Sequence, residues 1–145
     1  HTLYGTAFAA LGKPLAPISQ DVAAFFEDHV VINDEAGQVA VEADAGPKVA
    51  DWFKGVKAAI HQNHGLFTAS RHSIEAAAFW FIGLERCCRQ QLMVEDRDFD
   101  YISGNIEHHQ QILDAAMSGD ENLTRQKIHT HLERHFMPSV NNSAK

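Results

Sequence analysis

The hydrophobic period of this chain changes once, near residue 95, and that change constrains its fold more than any other feature. Before it, helical and strand periods alternate; after it, only the helical period is left. Leu3, Tyr4, Ala7, Phe8 and Leu11 form one helical stripe, which Gly12 and Pro14 stop. With only His1 ahead of that segment, no cap and no leading strand are expected, and residue 1 reads as a cut edge. Ser19 suits the N-cap of a short helix carrying Val22, Phe25 and Phe26. Val30-Val31-Ile32 reads as a strand, Asn33 to Gly37 as a turn, and Gln38 to Val41 as a partner strand.

Pro47 fits a first helical position, with Val49, Phe53 and Val56 on the buried side. Ala58-Ala59-Ile60 is a small apolar strand that runs into a polar loop from His61 to Gly65. Ser73 caps the longest helix, ending near Glu95, with Ile74, Ala77, Ala78, Phe81, Leu84, Cys88 and Leu92 as its inward stripe. Glu75 lies near the positive end of its dipole. No strand is expected after residue 62.

The expected organisation is therefore an α/β layered unit over residues 1–95, a junction over 96–104, a helical hairpin over 105–137 and a frayed tail over 138–145. Asn105 and Asp120 cap the hairpin helices, and Gly119 closes the first. A chain of 145 residues can bury a core without staples. Its formal charge of −7 argues against a general basic face for nucleic acid or anionic lipid. No apolar run reaches the ~20 residues needed to span a bilayer. Cys87 and Cys88 are adjacent, too close for an ordinary disulfide loop, so a reduced, cytoplasmic chain is expected.

The compositional outlier is histidine, with ten residues, five of them between 108 and 135. His64 falls in the turn Gln62-Asn63-His64-Gly65-Leu66, where glycine lets the backbone fold back and the imidazole face a cleft. A lone loop histidine is more often a surface residue, and spacing leaves both readings open. His109 and His131 form a second set. Each lies about ten or eleven residues from the turn at Gly119-Asp120, so at ~1.5 Å per residue they sit level on antiparallel helices. Two facing imidazoles between helices suit a metal, although helix-surface histidines fit the same spacing. Asp21 reads as a first-turn helix residue, Phe79, Trp80 and Phe81 as core, Cys88 as a small core residue, and Glu85 with Arg86 as a solvated or interface pair.

Several segments resemble the class II aldolase/adducin N-terminal family, in order and at family-like separations. They are His1 to Phe8, Leu11-Gly12-Lys13-Pro14-Leu15, Gln20-Asp21, Gln62 to Thr68, and Ile82 to Cys88. The resemblance implies a partial three-layer α/β/α unit, N-terminally truncated, followed by the helical hairpin. In that family a histidine-x-histidine pair and a later histidine in an Asn-His-Gly turn hold a divalent metal, usually zinc. By position, His1 corresponds to the second histidine of the pair and His64 to the third ligand. The first histidine, the acid/base glutamate and the phosphate-holding loops would precede residue 1. A second resemblance covers about residues 105–134, where His109 to Asp120 and then His131 are similar to the last helices of FadR-like GntR-family ligand-binding domains. It implies His109 and His131 as ligands of zinc or nickel beside a small carboxylate effector.

Three functions follow as expectations. The first is a divalent-metal-dependent aldolase or epimerase-type lyase acting on a small hydroxy-carbonyl or sugar phosphate, incomplete in this chain. The second is a non-enzymatic adducin-like scaffold domain. The third is a metal-dependent effector-binding module of a GntR-type regulator. Two family fragments in one short chain also suit a truncated or chimeric chain. The expected partners are a small-molecule substrate or effector and further copies of the chain, with no direct contact to nucleic acid or membrane.

Overall fold

The computed structural model describes residues 1–34, 45–95 and 106–136, with side chains over 110–130 in the last stretch. The expected strand at 38–41, the linker at 96–100, the Asn105 cap and the tail at 138–145 lie outside the described residues. Two compact units divide the chain, His1–Ser103 and Gly104–Lys145.

The first unit is a mixed α/β fold. Its helix α1 runs Leu3–Ala9 and ends at Ala10, with Gly12 at φ +60° where the chain turns away. The start of α1 departs from expectation: Thr2 is the N-cap, although its side chain makes no capping bond of its own. The short helix α2, Gln20–Ala23, begins where Ser19 predicts it, and the Ser19 hydroxyl accepts from the Val22 N–H. Strand β1, His29–Ile32, carries the β-branched run. Helix α3, Ala45–Trp52, opens two residues ahead of Pro47; it buries none of its residues, and Val49, Phe53 and Val56 are only half-buried.

Strand β2, Ala58–His61, is wholly buried and lies at the centre of a three-stranded sheet of order β1-β2-β3. β1 runs parallel to it, with Ile32 opposite His61. Strand β3, Gly65–Thr68, is antiparallel to β2, with Gly65 opposite His61. This strand corrects the expectation that none follows residue 62. Its four residues carry no alternation; pairing with β2 makes them a strand.

Helix α4, Ile74–Val94, is capped by Ser73, whose hydroxyl accepts from the Ala76 N–H. Its buried side is Ala76, Trp80, Leu84, Cys87, Cys88 and Gln91, rotated from the expected stripe. Ile74 and Ile82 face solvent, at 81% and 63% exposure. Gln91 is buried because its side chain accepts the Ala16 N–H at 2.9 Å. α1 and α4 pack on each other and against β2 and β3. Phe8, Phe25, Ile60, Leu84, Val22 and the two cysteines fill the core. Trp80 meets Phe25 edge-on at 5.7 Å and is core, as expected, whereas Phe79 is half exposed. Lys57, ion-paired to Asp28, sets its ammonium 4.3 Å from the Trp80 ring centre.

The second unit is a helical hairpin. α5, Ile106–Ser118, packs against α6, Glu121–Phe136, across Gly119 at φ +74°. Asp120 caps α6 by accepting the Leu123 N–H at 2.9 Å. Lys127 of α6 reaches Gln111 of α5 at 3.1 Å.

Candidate functional site

The site begins with the reversal between β2 and β3. Three residues, Gln62-Asn63-His64, join the strands, and the turn is pinned on two sides. The Gln62 N–H donates to the Ile32 carbonyl at the end of β1, and the Asn63 N–H donates to the Ala9 carbonyl at the end of α1. Asn63 takes the left-handed conformation at φ 59°, which asparagine tolerates better than most residues. The His64 N–H closes the bend on the His61 carbonyl at 3.0 Å. Gly65 follows at φ 153°. A Cβ there would lie 3.9 Å from His1 Cδ2, so the first residue of the chain rests over this bare stretch of backbone.

That arrangement brings His1 and His64, 63 positions apart in sequence, to a ring-centre separation of 4.9 Å at 31°. His64 also stacks with His61, parallel within 17° at 5.1 Å. His61 in turn meets Trp52 at 5.1 Å, and Phe67 lies 5.5 Å from His64. The result is a column of rings, His1–His64–His61–Trp52, exposed at the His1 end and buried at His61. Beyond the end of β1 a cavity of about 320 Å³, lined by Val31, Ile32, Asn33, Asp34, Lys48 and Trp52, shares the Trp52 wall.

The donor chemistry can be tested against a divalent cation. Two imidazoles at Zn–N distances of ~2.05 Å and a tetrahedral angle put their ring centres roughly 5 Å apart. The His1–His64 spacing of 4.9 Å fits that pair. His61 does not extend it to a third donor, because its ring lies flat on His64 instead of converging with it. Among the described residues no group of three His, Cys, Asp or Glu side chains is placed to hold a metal. Among the described residues, the His1 and His64 rings alone have a spacing of this kind outside the stacked His61.

Sequence reasoning passed over one residue and misassigned another. His61 belongs to β2 and to the ring column, and its pairing with Gly65 across the turn is visible only once β3 is present. Glu85 is a correction: instead of a solvated pair with Arg86, its carboxylate turns to the start of α1. There it accepts the Thr2 hydroxyl at 2.5 Å and the Tyr4 and Gly5 N–H groups at 3.0 and 2.6 Å. Asp21 does sit in the first turn of α2, with Arg86 3.8 Å away. Both cysteines are buried free thiols. Burial, then the Asp21 charge, pushes Cys87 up to about 12, and burial with Cys87 and Glu85 nearby raises Cys88 further. His109 and His131 lie on α5 and α6, but their side chains are outside the described residues.

A mixed α/β unit of this kind matches the fold of class II aldolase neighbours. Residues 1–92 match the class II aldolase and adducin N-terminal domain, and the chain belongs to that family. Over 95 residues it is 43% identical to a 4-hydroxy-3-prenylphenylpyruvate oxygenase/4-hydroxy-3-prenylbenzoate synthase of Streptomyces roseochromogenus subsp. oscitans and to decarboxylase NovR of Streptomyces niveus. Each match covers 66% of this chain and 34% of the relative, so the chain spans about a third of their length.

Among solved structures, L-fuculose 1-phosphate aldolase from Glaciozyma antarctica PI12 superposes with a TM-score of 0.60 at 31% identity, covering 92% of this chain and 51% of that one. An aldolase II superfamily protein from Pseudomonas syringae gives 0.66 at 23% identity, covering 92% and 54%, and supports the fold alone. Among the described residues no helix is long and apolar enough to cross a membrane.

Proposed function

We propose that this chain carries part of a divalent-metal lyase site of the class II aldolase type, with His1 and His64 as two of the metal's nitrogen donors and zinc as the metal. The observation that carries the reading is the 4.9 Å approach of the two imidazoles, which the turn and α1 bring together from the two ends of a 63-residue separation. A bound cation would supply Lewis acidity to a substrate carbonyl. The chain's own residues orient and shield: His61 and Phe67 back the His64 ring, and the exposed His1 edge leaves the approach open. The substrate class is a small hydroxy-carbonyl or sugar phosphate. The names of two of the relatives, aldolase and decarboxylase, both denote breaking of a carbon–carbon bond. The reading includes a cytoplasmic homo-oligomer.

Metal analysis of the purified chain beside its His64→Ala and His131→Ala variants tests this. Stoichiometric metal in the parent and in His131→Ala, with loss in His64→Ala, is the expected result. Full occupancy in His64→Ala would remove the reading. Loss confined to His131→Ala would move the site to the hairpin and favour an effector-binding module. No uptake, with a melting curve unchanged in chelator, would favour a scaffold domain.

A further inference from the structure

The Glu85 carboxylate accepts three hydrogen bonds from one short stretch of chain. α1 enters with Thr2 as its N-cap, and the first turn of any helix leaves N–H groups without intrahelical acceptors. Elsewhere in this protein a serine or aspartate side chain at the cap accepts them, as Ser19, Ser73 and Asp120 do. Thr2 does not; its hydroxyl donates to Glu85 Oε2. The carboxylate takes over the capping from 80 residues away, with Oε1 on the Tyr4 N–H and Oε2 on the Gly5 N–H. An anion at that end also opposes the positive pole of the helix dipole. Gly5 is required for this approach, since a Cβ there would lie 2.8 Å from Glu85 Oε2 and 2.4 Å from Leu66 Cδ1.

His1 is joined directly to Thr2, the residue that Glu85 holds by its side chain. We propose that Glu85 is a positioning residue for the histidine pair: it fixes the entry of α1 and thereby sets the His1 ring against His64. The inference deepens the metal-site reading and rests on it for its functional meaning, although the ring geometry it explains exists without a metal. A second tie between the same helices, Arg89 over the Tyr4 ring at 5.2 Å, holds a side chain of that same turn but gives Thr2 and the first-turn N–H groups no acceptor. Loss of Glu85 therefore leaves α1 docked while its first residues lose their anchor.

The test uses the full chain with Glu85→Ala and with the volume-matched Glu85→Gln, which keeps one acceptor oxygen for three donors. Two readouts are taken on protein shown by circular dichroism to be folded. The first, on metal-free protein, is the set of cross-ring nuclear Overhauser effects between His1 and His64, with those of the Phe25–Trp80 pair as a core reference. Loss or weakening of the His1–His64 set in both variants, with the core set retained, is expected. The second is Co²⁺ affinity from its visible absorption, expected to fall about tenfold in Glu85→Ala and less in Glu85→Gln.

A purely structural Glu85 would lower the urea midpoint while both readouts on folded protein stay at parent values, and that result overturns the inference. Failure of the parent chain to bind Co²⁺ would sink the metal reading instead. The ring contacts alone would then decide the positioning role.

Discussion

Lowering the pH through the titration range of histidine should destabilise the α/β unit through one residue, His29. Its half-buried ring sits between two backbone groups. Nδ1 lies 2.6 Å from the Phe25 carbonyl and Nε2 lies 3.0 Å from the Leu15 N–H, which donates to it. That pairing fixes the neutral tautomer, with the proton on Nδ1. Burial lowers the pKa of His29 below its ordinary 6.5, outweighing the Phe25 hydrogen bond and the Asp28 charge, which pull it up.

The unfolded chain then binds more protons than the folded one between those two values, so stability rises with pH across that window. The His29 contribution is full above about pH 6.5, falls as the pH drops toward the folded value, and is constant again below it. In the protonated state an N–H on Nε2 would face the Leu15 N–H, donor against donor. Replacing the ring by leucine strands one donor and one acceptor at about 1–3 kcal/mol each, so His29→Leu should cost about 2–6 kcal/mol at pH 8. Urea unfolding of parent and variant at pH 8, 6 and 5 checks both statements. The parent should lose stability across that series more steeply than His29→Leu, because the other histidines are common to both. Equal slopes, or a variant as stable as the parent at pH 8, would refute the argument.

Two further outcomes follow from the packing. Gly5→Ala forces a Cβ into Leu66 and Glu85 and should lower the urea-derived stability by about 1–3 kcal/mol, with loss of the His1–His64 ring contacts. Cys87 and Cys88 should resist a thiol reagent such as DTNB at pH 8 and react together only in denaturant, since a Cys87 pKa of about 12 leaves almost no thiolate; fast native labelling would contradict their burial.

The elements legible in the sequence are those whose signal is local. Ser19, Ser73 and Asp120 each announce a helix start with a side-chain oxygen three residues before the N–H it caps, and each bond is present. Gly12 marks the end of α1 for the same kind of reason. β3 was not legible, because Gly65-Leu66-Phe67-Thr68 is a strand only through β2. The face of α4 was misjudged by about one position in the turn. Its apolar residues outnumber its core positions, so Ile74 and Ala78 could be assigned inward while Cys87 and Gln91 took those places. Nothing in periodicity reveals that Gln91 is held by the Ala16 N–H.

The candidate site divides along the same line. Asn63 and Gly65 advertise a reversal that aims His64, because one tolerates and the other favours positive φ. What set His1 beside it could not be read locally. The approach depends on the Asn63 N–H reaching the last turn of α1 and on a carboxylate that comes from the middle of α4. In sequence Glu85 is one charge among the nineteen acidic residues, next to an arginine that suggests a surface pair. In space it supplies the cap that Thr2 does not. The reach of the His1 imidazole is thus decided 84 positions away, by a group that touches neither ring, and a histidine pair of this kind is only as well placed as the helix entry that carries it.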